Sequence, residues 1–230
     1  MLISGLSLVG YALVKWLGSR RGLALTGLAG GLYSSTVVTL TMARDSKNLP
    51  AGAAALAIML SWAMMFLRVL VEVSLVAPHL LRVLAAPMAS MALACLGVAA
   101  FLSRHRDTEG SLPDPKTPFS LIEAMKIAAI FTVVIAALAA ASRSTSDSAV
   151  LLVSVLGGAV DIDPVVLSVA QNTNLSPTLA AWCVITAAAS NTIVKTILVA
   201  MLGTRRLLII VTTGAALAAA VGIAAILLIS

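Results

Sequence analysis

The stretch Gly157-Gly158-Ala159-Val160-Asp161-Ile162-Asp163-Pro164 sets two carboxylates inside a run otherwise apolar enough to span a bilayer. A charged side chain at that depth costs about 2.5–3.5 kcal/mol on insertion scales, so residues of this kind are rare and tend to be functional. Two acids so close together repel each other unless one is protonated or a cation lies between them. The same octet governs the backbone. Gly157-Gly158 weakens the helix ahead of the acids, and Pro164 cannot donate a hydrogen bond within a helix interior. Asp163 suits an N-cap and Pro164 the first position of a new helix. The reading is a helix over about 148–158, an unwound stretch, and a second helix from Pro164 to about Asn172.

Around this segment lie 230 residues, 60% hydrophobic and 10% charged, with a mean hydropathy of +1.09. Soluble domains are nearer half apolar and a quarter charged. The composition predicts an all-α polytopic membrane protein. Apolar runs at about 1–18, 22–43, 50–75, 80–103, 118–142, 148–171, 177–201 and 206–229 suggest about eight transmembrane helices, with the broken helix at Gly157–Pro164. The opening MLISGLSLVGYALVKWLG lacks a basic n-region and reads as a first span, not a signal peptide. The net charge of +6 comes from basic residues scattered at the ends of apolar runs, which argues for interface anchoring and against nucleic acid. One face would hold Lys15, Arg20, Arg21, Arg82, Arg143, Arg205 and Arg206, the other Arg44, Lys47, Arg104, Arg106 and Lys116. The first, slightly richer face would be cytoplasmic. Cys95 and Cys183 sit alone in apolar runs, where cysteine acts as a small hydrophobe.

The two halves resemble each other. A shift of 127 residues lays Gly30-Gly31 on Gly157-Gly158, Pro50 on Pro177 and Arg68 on Lys195 without a gap. The expected organisation is a first four-helix repeat over 1–103, a polar linker over 104–117 and a second four-helix repeat over 118–230. Four spans per copy would make the copies parallel; three spans with a re-entrant segment would make them inverted. The four-span arrangement is the one expected. The equivalent of the second copy's first helix would begin before Met1, so the first span is short. Repeats in transporters commonly hold the substrate at their interface near mid-membrane.

Three polar places fall within the apolar runs. Asp161 and Asp163, with freed helix carbonyls, suit Mg²⁺, Ca²⁺ or Mn²⁺ and can hold Zn²⁺; the plainer reading of Asp163 is a cap. Ser34, Ser35 and Thr36 stand where the second copy has its acids, and either add oxygen ligands or bond back to their own helix. Asn191 lies about 21 Å along its helix from Pro177, close to the depth of Asp161. Lys195, one turn on, is a counter-ion to Asp161 in the empty site, or else snorkels to the interface. Arg68 with Glu72 four residues later reads as a local ion pair with a counter-ion or gating role.

The segments GLAGGLYSSTVVTLTMAR, LGGAVDIDPVVLSVA and ASNTIVK resemble the signature segments of the membrane domain called domain of unknown function 4010, allied with MgtC/SapB-type membrane proteins. The resemblance implies bacterial inner-membrane residence, multi-pass, and a role in divalent metal movement. The expected function is a transporter or channel for divalent cations (Zn, Mn, Mg, Co or Ni not distinguished), with no permanently bound cofactor and no enzymatic activity. It would sit in the lipid bilayer as a homodimer. The alternatives are a regulatory or assembly subunit without transport of its own, and a proton-coupled transporter of another solute.

Overall fold

The computed structural model describes residues 23–104, 147–172 and 175–228, and among these there are helices but no strands. They are α1 (Leu23–Asp45), α2 (Ala51–Val76), a 3-10 turn (Pro78–Leu80), α3 (Leu81–Ser103), α4 (Asp147–Val160), α5 (Ile162–Gln171), α6 (Pro177–Leu202) and α7 (Arg205–Leu227). The expected spans at 1–18 and 118–142, and the linker beyond residue 104, lie outside the described residues.

Among the described residues, four elements are long and apolar enough to cross a membrane: Ala51–Val76, Pro78–Ser103, Pro177–Leu202 and Arg205–Leu227. Twenty-six helical residues extend about 39 Å, against roughly 30 Å of hydrocarbon. Their ends follow from local chemistry. Ala77 leaves the helical region (φ −143°, ψ 68°) just ahead of Pro78, whose ring disfavours a helical predecessor. Ser176 caps α6 by accepting from the Leu179 N–H at 3.2 Å, with Pro177 in the first turn where no donor is needed.

The runs at 22–43 and 148–171 do not cross as expected. Each folds back on itself. In α1 the backbone leaves the helix at Ser34 (φ −162°, ψ 107°). A Cβ built on Gly30 would come 2.5 Å from the Val38 side chain, eight residues on, whereas a straight helix separates such residues by about 12 Å. Gly31 before the break packs on Ser61, and Thr39 after it accepts from the Trp62 indole at 3.0 Å, so both arms lie along the same part of α2. The second hairpin is α4–α5. Ser154 stands by Cys183 and Gly158 by Ala187, so α4 advances in step with α6. After the extended Asp161 (φ −158°, ψ 140°), α5 returns to the short turn that begins α6. Apolar length alone cannot distinguish a crossing from a hairpin with arms of roughly 15 Å.

Small residues let the hairpins lie against their neighbours. A Cβ on Gly31 would meet the Ser61 Cα at 2.6 Å, and one on Gly158 the Ala187 Cα at 2.4 Å. Such close backbone approach is how helices associate where burial from water gives no drive. Gly158 is therefore a packing residue within α4, not the weak point before the break.

The helix directions correct the expected parallel arrangement. The Thr204 N–H donates to Ser46 Oγ at 3.0 Å, so the α1–α2 turn lies beside the α6–α7 turn. Helices α2 and α6 consequently run in opposite directions. So do α3 and α7, since a Cβ built on Gly222 would meet Met91 while one on Gly214 would lie 3.9 Å from the Val98 side chain. Among the described residues, Arg44, Lys47, Arg104, Arg205 and Arg206 thus gather at one end and Arg82 stands at the other, whereas Arg205 and Arg206 were expected on the face of Arg82. The core is built on α2, where Ile58, Met59, Trp62 and Phe66 are inaccessible, and on Cys183, Ala187 and Ala188 of α6. Leu93, Phe101, Ile193, Met201 and Leu227 are 59–73% exposed, an apolar exterior suited to lipid.

Candidate functional site: charged side chains at two hairpin tips

Each hairpin tip needs a cap, because the helix that starts there has unpaired N–H groups. Ser34 Oγ accepts from the Val37 N–H at 3.3 Å. Asp161 does the same for the second tip, accepting from the Asp163 N–H at 3.5 Å. This corrects the assignment of Asp163 and Pro164 as cap and first residue. Pro164 is the third residue of α5 and has no N–H, so the cap serves the second position instead. Ser34 and Asp161 are 127 residues apart (34 + 127 = 161), the same offset that relates Arg68 to Lys195.

With Asp161 exposed and capping, Asp163 becomes the buried acid, at 1% exposure. Its Oδ2 pairs with Nη2 of Arg68, from α2, at 2.6 Å. Arg68 also donates from Nη1 to the Leu32 carbonyl at 3.2 Å, at the end of the first arm of α1. One guanidinium therefore joins both tips. A cation on that carbonyl is favourable, since helix C-termini carry partial negative charge. The expected local pair with Glu72 is loose: Arg68 Nε lies 3.8 Å from Glu72 Oε1, and neither Glu72 oxygen has a hydrogen bond although the residue is fully buried.

Lys195 neither snorkels nor reaches Asp161. It is 1% exposed and its Nζ lies 2.6 Å from Ser35 Oγ and 2.9 Å from Met65 Sδ, with no ion pair among the described residues. Asn191 donates from Nδ2 to the Gly158 carbonyl at 2.7 Å, tying α6 to the second tip. Its Oδ1 is buried without a partner, as is Asp163 Oδ1. Ser35 is thus held by lysine, Ser34 is a cap, and Thr36 is half-buried.

The cluster unites Asp163, Arg68, Glu72, Asn191, Lys195 and Ser35. Among the described residues no three His, Cys, Asp or Glu side chains converge as a ready metal cage, so acids and amide oxygens would have to share the work. Sequence reasoning missed the break at Ser34, the Leu32 carbonyl and Met65; the freed carbonyls it expected at the second break include that of Gly158, which Asn191 takes. The 127-residue offset held the signal for the first of these, because it places Ser34 on Asp161.

Residues 1–203 match the family described as "Domain of unknown function (DUF4010)". The chain belongs to the DUF4010 family. All the cluster residues lie within the matched part. A relative is an uncharacterized protein of Aquifex aeolicus (strain VF5), 27% identical over 182 residues, which cover 76% of this chain and 79% of that protein. No solved structure matches the chain.

Proposed function

We propose that this DUF4010 protein is a membrane transporter for divalent cations, with Asp163 as the principal ligand and Arg68 as an internal cation that occupies Asp163 when the site is empty. The observation that carries this reading is the 2.6 Å Arg68–Asp163 pair, buried where two hairpin tips meet. Ionisable groups at membrane depth mark ion pathways, and broken helices meeting near mid-membrane are a transporter's means of building a site. Asp163 Oδ1 and Asn191 Oδ1 are unpartnered hard oxygens suited to Mg²⁺ or Mn²⁺. Asp161, exposed at the tip, is the first acid an entering ion meets. Ser35, now on Lys195, and its neighbours Ser34 and Thr36 are secondary ligands.

In this reading the chain is a duplication with inverted topology. Among the described residues each copy contributes a re-entrant hairpin and two spans. The copies then supply the rocking halves of alternating access. The end rich in Arg44, Lys47, Arg104, Arg205 and Arg206 faces the cytoplasm. A bacterial inner membrane, a homodimer, kinship with MgtC/SapB-type proteins and the lack of a resident cofactor or enzymatic activity belong to the same proposal. One observation favours a second reading, an assembly subunit: the ion pair also locks the two hairpins together. Mn²⁺ uptake by proteoliposomes separates them. The transporter reading expects uptake by wild type and none by Asp163→Asn; wild-type vesicles no faster than empty ones would sink it.

A further inference from the structure

Glu72 is the group in the cluster that the cation site leaves unexplained. It lies one turn beyond Arg68 and about 6 Å from the Val76 end of α2. It is completely inaccessible, and both carboxylate oxygens lack a hydrogen bond. Among the described residues, the charged groups acting on it are Arg68 from its own helix, and Asp163 and Asp161 from α5 and its cap; none of α1, α3 or α7 does so. Lys195 of α6 completes the cluster at Ser35. Arg68, the nearest cation, is committed to Asp163 at 2.6 Å and is 3.8 Å from Glu72. A buried carboxylate in that position has only a loosely held cation, already shared with Asp163, to offset its charge.

We infer that Glu72 is a proton site, and that the protein exchanges a proton for the cation through movement of Arg68 between Asp163 and Glu72. The inference rests on the cation-transport reading and supplies its coupling. In the empty state Arg68 pairs with ionised Asp163, and Glu72 carries a proton on one oxygen. When a divalent cation binds Asp163, it displaces the guanidinium. Arg68 then turns to Glu72, whose O–H bond breaks as the proton leaves; the electron pair stays on the carboxylate that now meets Arg68. No oxidant or co-reactant is involved. The short lever is built in, since Arg68 and Glu72 are one helical turn apart on the same face.

The test uses the full chain reconstituted in liposomes, with Mn²⁺ as the probe. In weakly buffered medium, wild type should release about one proton per Mn²⁺ bound. Glu72→Gln should bind Mn²⁺ and release none. Equal release from the two proteins overturns the inference. Infrared spectroscopy without Mn²⁺ gives a readout independent of transport. A protonated-acid carbonyl band should be present in wild type, shifted in Glu72→Asp and absent in Glu72→Gln. A band that persists in Glu72→Gln but vanishes in Asp163→Asn assigns the proton to Asp163 and refutes the proposal. Failure of Mn²⁺ flux in wild type speaks against the transport reading instead, and the infrared result still decides the protonation of Glu72.

Discussion

Arg68 and Asp163 bear on stability as well as on the site. Removing one partner of a buried ion pair leaves the other charge uncompensated and costs about 3–5 kcal/mol, whereas replacing both by neutral groups is often harmless. We therefore expect Asp163→Asn and Arg68→Gln each to lower the thermal midpoint in lipid markedly. The double variant should recover most of the loss, its destabilisation being smaller than the two single losses added together. Lys195 presents the opposite case. Its ammonium is buried with only a hydroxyl and a thioether as partners. Lys195→Met, of similar shape, should keep or raise stability by about 1 kcal/mol while impairing Mn²⁺ uptake, because an ill-compensated buried charge is retained for function at the expense of stability. Heat-induced aggregation curves alongside uptake rates check both halves of that statement.

At the scale of the element, the two hairpins depend on caps and on glycine. Asp161→Ala removes the cap oxygen of α5 and should cost about 1 kcal/mol, while Asp161→Asn caps equally well and should fold as wild type. A Cβ at Gly158 would meet Ala187 backbone at 2.3–2.6 Å, so Gly158→Ala must push α4 off α6. Overpacking of this sort typically costs about 1–3 kcal/mol. Gly97→Ala is the control, for nothing lies within 4 Å of its Cβ position. Melting curves of the two alanine variants should differ accordingly.

The same elements show what was legible in the sequence. The boundaries of α2, α3, α6 and α7 fell within about two residues of the apolar runs, because hydropathy and proline mark them directly. The broken helix at Gly157–Pro164 was legible as well, though its cap was misplaced by two residues. The hairpin turn at Ser34 was not, since a serine in extended geometry has no proline or glycine signature of its own. Nor was the partner of Asp163. Arg68 lies 95 residues away (163 − 68 = 95), and only tertiary packing decides whether it pairs with Asp163 or with the neighbouring Glu72.

Across the whole molecule, the inverted relation of the helices fixes which loops share a side. The turn after α1 lies with the turn before α7, and the turn after α2 with the turn before α6. Cysteines placed at the exposed positions Lys47 and Arg205 should therefore react with an impermeant reagent from one side of sealed vesicles. Those at His79 and Ser176 should react from the other, while native Cys95 and Cys183 stay buried and unlabelled. A parallel duplication would instead divide Lys47 from Arg205. The two hairpin tips consequently approach the cluster from opposite ends of the bundle.

The most direct test of the central claim is a density map of the protein in lipid with Mn²⁺, the ion located by anomalous scattering. A peak is expected at Asp163, with the Arg68 guanidinium turned away toward Glu72. A peak elsewhere, or an Arg68–Asp163 pair still intact beside a bound ion, would contradict that claim.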